Sequence, residues 1–180
     1  AALAPFNPDK FVELYEKGLT SESLVVRVET ATILYALAPI NPDKFVELIE
    51  KGLMDKSYEV RARTAEILTA LAPFNPDKFV ELYEKGIKDE DGHVREGTAG
   101  TLAALAPFNP DKFVELYEKG IKNEDSKVRE IINETLVALA SINPNKFMEL
   151  IEKGIMEESK YTPYKAAKSL SALLLINPNK

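Results

Sequence analysis

The sequence contains no cysteine, no tryptophan and no glutamine, and only one histidine, His93. Without cysteine there is no disulfide and no thiolate metal site, and the redox compartment leaves no trace. A single histidine, expected at the start of a helix with no cysteine beside it, points to no metal-ligand cluster and to no nucleophile–base pair. No apolar run approaches the roughly 18–20 residues of a membrane span, and no charged-then-apolar leader opens the chain. These absences set the expectation of a cytoplasmic protein with no membrane partner. Positive charge is short as well: 23 Lys and Arg stand against 29 Asp and Glu, a net charge of −6. Phosphate backbones are held by clustered Lys and Arg, so no nucleic-acid partner is expected.

What is present describes a folded chain. Of its 180 residues 45% are hydrophobic and 29% charged, enough for one core or for small units sharing a continuous one. Glu and Lys are abundant while Gln is absent, a bias that leans towards a thermophilic source or towards design.

Internal self-similarity decides the fold class. The string Asn-Pro-(Asp/Asn)-Lys begins at Asn7, Asn41, Asn75, Asn109, Asn143 and Asn177, always 34 residues apart. Repeats therefore span 2–35, 36–69, 70–103, 104–137 and 138–171, with a partial sixth over 172–180, all in a single repeat domain covering 1–180. Three of the five copies share the 17-residue string ALAPFNPDKFVELYEKG without a change. Such uniformity implies recent duplication or deliberate design. Irregular substitutions such as Ile131-Ile132-Asn133 favour duplication.

Each copy reads as two helices. Asn7 is a good N-cap, Pro8 fits the first helical position, and Asp9 faces the positive end of the helix dipole. Phe6 and Phe11 are spaced as a hydrophobic staple, as are Ile40/Phe45, Phe74/Phe79, Phe108/Phe113 and Ile142/Phe147. Gly18 is expected to end this helix in a left-handed cap, with Leu19 folding back on Leu14. Phe11, Leu14 and Tyr15 supply its apolar stripe. The second helix is expected to start at Ser23, Ser57, Asp91 and Asp125 and to be stopped by Pro39, Pro73 and Pro107. Its predicted buried arc is Val26, Thr30, Ile33, Leu34 and Leu37.

A 34-residue period matches tetratricopeptide repeats in length, but their Trp/Leu-Gly/Tyr pattern is missing. The second helix instead resembles the HEAT-like, armadillo-type repeat, whose signature is an Asp in the turn followed by Val-Arg. Asp89-Glu90-Asp91-Gly92-His93-Val94-Arg95 matches closely. Asp55 with Val60-Arg61 also matches, Asn123 with Val128-Arg129 comes near, and the first copy keeps Val26-Arg27 with Ser21 at the Asp position. The resemblance implies an all-α, right-handed α-α superhelix of about five two-helix repeats. It also implies a ladder between successive repeats formed by Arg27, Arg61, Arg95, Arg129, Asp55 and Asp89; an anion site at the arginines is the alternative. In the fifth copy Thr162-Pro163 replaces Val-Arg, so a late helix start flanked by Tyr161 and Tyr164 is expected.

In such proteins the second helices line a concave binding face. The positions that vary between copies there are Leu24, Val28, Tyr35, Tyr58, Ala62, Glu66, Glu96, Glu130, Glu134, Tyr161, Tyr164 and Lys168. They run from apolar and aromatic through acidic to more basic: the fourth copy carries 5 basic and 7 acidic residues, the fifth 5 and 4. The gradient fits a protein or extended-peptide partner on a non-catalytic scaffold. A structural or engineered array without a ligand, self-stacking through its ends, is the alternative. No enzyme activity and no cofactor are expected. DNA-acting relatives such as the alkyl-purine glycosylases need a basic concave face, which this chain lacks. Gly97 and Gly100 mark either a soft point in the third copy's second helix or a close backbone approach, each costing about 1 kcal/mol relative to Ala.

Overall fold

The structure is a computed structural model that describes residues 7–156. Within them the chain is all-α and repeats a helix pair: α1 Pro8–Leu19, α2 Leu24–Ile33, α3 Pro42–Leu53, α4 Tyr58–Glu66, α5 Pro76–Gly86, α6 Gly92–Gly100, α7 Pro110–Gly120, α8 Ser126–Thr135 and α9 Pro144–Met156. The chain divides into two compact units, with the boundary between Thr101 and Leu102. In the first, α2 lies on α1 and α4 on α3, while α3 packs on α1, and α4 on α2 and α6. In the second, α7 packs on α8.

The first helix of every copy begins as its sequence dictates. The side chains of Asn7, Asn41, Asn75, Asn109 and Asn143 accept from the backbone N–H three residues on, at 2.9–3.1 Å. The proline that follows has no N–H to strand there. Phe45, Leu48, Ile49, Phe79, Leu82, Tyr83, Phe113, Leu116 and Tyr117 form the buried stripe. Each contributes roughly 1.5–3 kcal/mol through apolar area removed from water. The residues before the caps, Ile40, Phe74, Phe108 and Ile142, stay exposed.

The helix ends differ from expectation. No described glycine has a positive φ, so Gly18 and Gly52 are not left-handed caps; they lie within α1 and α3. The glycine answers to a neighbour instead. A Cβ on Gly18, Gly52 or Gly86 would come within 2.2–2.5 Å of the hydroxyl oxygen of Thr30, Thr64 or Thr98, and one on Gly120 within 2.3 Å of Ile132 Cδ1. The second helix thus crosses the first where only a hydrogen fits. Leu19 is buried, while Leu14 is half-exposed.

Second helices start in a turn built by the residue two before the cap. Asp55, Asp89 and Asn123 accept the N–H of Ser57, Asp91 and Asp125 at 2.8–2.9 Å, and Ser21 accepts that of Ser23 at 3.2 Å. Asp91 and Asp125 also cap through their side chains, whereas Ser23 and Ser57 do not. The α-helices then tighten into 3-10 turns at Leu34–Leu37, Ile67–Ala70, Thr101–Leu105 and Leu136–Leu139. The prolines follow these turns and do not themselves end the α-helix. The predicted arc holds in the second copy, where Val60 and Thr64 of α4, Ile67 and Leu68 of the 3-10 turn and Leu71 just after it are all buried. In the first copy Leu34 and Leu37 are buried, but Val26 and Ile33 are exposed.

Candidate functional site

The four arginines of the Val-Arg positions share one local geometry. Each turns its Nη1 back on the carbonyls that precede its own helix: Arg27 on Ser21 at 2.8 Å, Arg61 on Asp55 at 3.0 Å, Arg95 on Asp89 at 3.0 Å and Arg129 on Asn123 at 2.6 Å. The rest of the guanidinium reaches forward. Arg27 Nε donates to Asp55 Oδ2 at 2.9 Å, and Arg61 donates to both carboxylate oxygens of Asp89 at 2.9 and 3.0 Å. Each pair bridges consecutive repeats. The planar fork suits this double duty, since its donors leave in two fixed directions. Arg27 and Arg61 are buried, at 5% and 8% exposure, so neither offers a face to an external anion.

Asp89 therefore serves twice, ordering its own turn and receiving the arginine of the repeat before. Burial opposes its ionisation, but the Arg61 guanidinium and the Asp91 N–H outweigh burial and hold its pKa below the usual carboxylate value. The hydrogen bond to Asp89 raises Arg61 in turn.

A second charge array runs along the first helices. Lys44 bonds Glu16 of the preceding repeat at 2.6 Å and Glu47 of its own helix at 2.7 Å, and Lys78 holds Glu50 and Glu81 likewise. Hydrogen bonds from paired lysines pull Glu13 (Lys10, Lys17) and Glu47 (Lys44, Lys51) down to about 2. These groups are exposed, so their pairing is screened and weak.

The variable second-helix positions are partly open. Leu24, Tyr35, Tyr58 and Glu66 are exposed on the first unit, with Val28, Ala62 and Glu96 half-buried; Glu130 and Glu134 are exposed on α8 of the second unit. Tyr161, Tyr164 and Lys168 lie outside the described residues, as does the Thr162-Pro163 helix start. Several of these side chains already have partners within the chain. Glu66 pairs with Arg63 at 2.8 Å. The Ala62 carbonyl and Glu66 Cγ lie 3.4 Å from where a Gly97 Cβ would stand, so α6 passes close over α4. Tyr58 stacks on His93 with ring centroids 5.8 Å apart. Sequence reasoning missed this pair; the available signal was that both residues open second helices of adjacent copies.

Glu16, Leu19, Thr20, Leu48, Lys51, Gly52 and Asp55 line a depression of about 180 Å³, below the roughly 300–1,000 Å³ of ordinary ligand pockets. Among the described residues no group of three or more His, Asp or Glu could hold a metal ion, and no helix is long and apolar enough to cross a membrane.

No family model matches the sequence, and no curated protein matches it. Solved structures do. A crystal structure of an engineered protein from the Northeast Structural Genomics Consortium aligns with a TM-score of 0.56 and 22% identity, covering 91% of this chain and 79% of that one. A second engineered protein from the same consortium aligns with a TM-score of 0.54 and 22% identity over 90% of this chain, which spans 47% of that protein's length. At this identity the likeness concerns fold, and the fold it shows is an all-α helical repeat.

Proposed function

We propose that the chain is a HEAT-like, armadillo-type array winding a right-handed superhelix, and that its role is structural, with no dedicated ligand, cofactor or reaction. The observation that carries this reading is the direction of its recurrent polar groups. Arg27 and Arg61 spend their guanidinium donors on their own turns and on Asp55 and Asp89 of the next repeat. Lys44 and Lys78 reach back to Glu16 and Glu50 of the repeat before. In these copies the repeated groups thus serve the contact between one copy and the next. Engineered helical proteins as structural neighbours support the same reading.

A second reading keeps the sequence-based expectation of a scaffold for an extended peptide. It is favoured by one observation, the exposure in the first unit of Leu24 and Tyr58 on second helices and of Tyr35 on the 3-10 turn after α2. Panning a random extended-peptide display library with the intact chain separates the two. The structural reading expects no enriched motif. An enriched peptide binding below about 10 μM and losing affinity on Tyr35→Ala and Tyr58→Ala would overturn it in favour of the scaffold.

A further inference from the structure

The sequence holds a single Asp-Gly pair and no Asn-Gly, and that pair, Asp91-Gly92, opens α6. Such a pair can rearrange its own backbone. The Gly92 nitrogen attacks Asp91 Cγ, the amide proton and the hydroxyl of the protonated carboxyl leave as water, and a succinimide ring closes. Water then adds to one of the two ring carbonyls. One opening restores aspartate and the other yields isoaspartate, so the product is an isomer and no oxidant or cofactor enters. Glycine favours the attack because no side chain shields its nitrogen. The space around Gly92 is open as well, since a Cβ there would meet nothing nearer than Arg95 Nη2 at 3.6 Å. Its N–H, first in the helix, is one that a helix leaves without an intrahelical acceptor.

The closed cap blocks the ring. Asp91 has a ψ of 133° and its Oδ1 accepts the His93 N–H at 2.8 Å. That backbone holds Cβ and the Gly92 nitrogen apart about the Cα–C bond, whereas the ring needs them together, so α6 must first open at its start. Its composition favours opening. Three of its nine residues are glycine, and Gly97 and Gly100 stand where α4 has the Arg63–Glu66 ion pair. Each glycine inside a helix favours opening about 5-fold over alanine, and at Gly97 packing does not demand one, with the nearest atoms to a Cβ at 3.4 Å. On α5 the buried Tyr83 hydroxyl has no partner. We propose that Asp91-Gly92 is a modification site at which opening of α6 lets the chain form isoaspartate spontaneously. The change reaches the contact between copies two and three. Isoaspartate runs the main chain through the former side chain and adds a methylene between Asp91 Cα and Gly92. It displaces the Asp91 carbonyl that accepts the Arg95 N–H at 3.2 Å, and disturbs the Asp91 N–H bonded to Asp89 Oδ1 at 2.9 Å. Asp89 is the carboxylate that Arg61 grips, so that rung loosens. The other caps are exempt: Ser23 and Ser57 carry no carboxyl, and Asp125 is followed by Ser126, whose Cβ shields the nitrogen.

The test is to hold the full chain folded at neutral pH over several weeks and digest it with trypsin, which isolates the site in the peptide 89–95. A second form of that peptide should accumulate, unchanged in mass and labelled by an isoaspartyl methyltransferase, with none at Asp125. The aged protein should melt lower than the fresh one. Gly92→Ala should lose the product. Gly97→Ala leaves the reacting pair intact and should slow its formation about 5-fold in the folded chain, with no effect in urea. Isoaspartate at residue 91 in the urea-unfolded chain but none in the folded one would overturn the proposal. So would equal folded-state rates with and without Gly97→Ala, or an aged protein whose melting is unchanged.

Discussion

Gly52→Ala and Gly97→Ala make the same chemical change in two helices of one unit, and the packing gives them opposite signs. An alanine Cβ at Gly52 would lie 2.4 Å from Thr64 Oγ1 and 2.8 Å from its Cγ2. Thr64 cannot step aside. It is fully buried, its hydroxyl donates to the Val60 carbonyl at 2.8 Å, and a β-branched side chain on a helix has few rotamers. Overpacking of this kind costs about 1–3 kcal/mol, and the overlap belongs at the upper end. Alanine's helix propensity returns about 1 kcal/mol, leaving a net loss of about 1–2 kcal/mol. At Gly97 the nearest atoms to a new Cβ, the Ala62 carbonyl oxygen and Glu66 Cγ, stand at 3.4 Å, which is ordinary contact. There the propensity gain survives, at up to about 1 kcal/mol. Thermal unfolding followed by circular dichroism should show a fall of about 3–8 °C for Gly52→Ala and a rise of about 2–4 °C for Gly97→Ala. Adding Thr64→Ala should recover part of the loss in the first variant. If Gly52→Ala also raises the melting temperature, the close crossing of α3 and α4 is wrong.

Tyr83 and Tyr117 are the same residue in copies three and four, and they should respond oppositely to loss of the hydroxyl. Tyr117 donates to Asn133 Oδ1 at 3.1 Å, while the buried Tyr83 hydroxyl has no partner and faces a copy with Ala99 at the asparagine position. Tyr83→Phe should stabilise by about 1 kcal/mol and Tyr117→Phe destabilise by a similar amount in urea unfolding; equal shifts would contradict the assignment. Acid should weaken the fold. Glu13 and Glu47, at about 2, and Asp89, also lowered, bind protons more readily unfolded than folded. Their contribution is complete above the unfolded carboxylate range and is lost as pH falls from about 5 towards 2. Urea midpoints should decline over that window, with a shallower slope in Asp89→Asn, and a flat profile would count against the pairing.

Local rules were legible wherever one side chain meets one backbone group. The asparagine caps and their prolines follow from residue type alone, and the five caps form as their sequence requires. The repeat period located the first helix of all five copies and the second helix of the first four. Glycine was misread because the same residue satisfies two different demands. A glycine near a helix end fits a left-handed cap, yet here it admits Thr30, Thr64 or Thr98 of the crossing helix. That crossing is a tertiary fact with no local signature. The apolar arc was read from periodicity, which assigns Val26 and Val60 alike. Their burial differs because it depends on a neighbouring repeat, and a single copy's sequence cannot register that neighbour. The candidate surface was drawn from variation between copies alone. That Tyr58 already stacks on His93, and that Glu66 lies against α6, required the packing of one repeat on the next.

The claim that recurrent polar residues join repeat to repeat is tested most directly by a double-mutant cycle on Arg61 and Asp89. Their bidentate contact is nearly buried, with side-chain exposures of 10% and 15%. Arg61→Met, Asp89→Asn and the double variant should be compared by urea unfolding at neutral pH. The account predicts that each single change destabilises by about 2 kcal/mol and that the two couple by about 1.5 kcal/mol or more, because removing either partner strands the other. Additivity within about 0.5 kcal/mol would contradict it, since the arginine and aspartate would then act independently of one another.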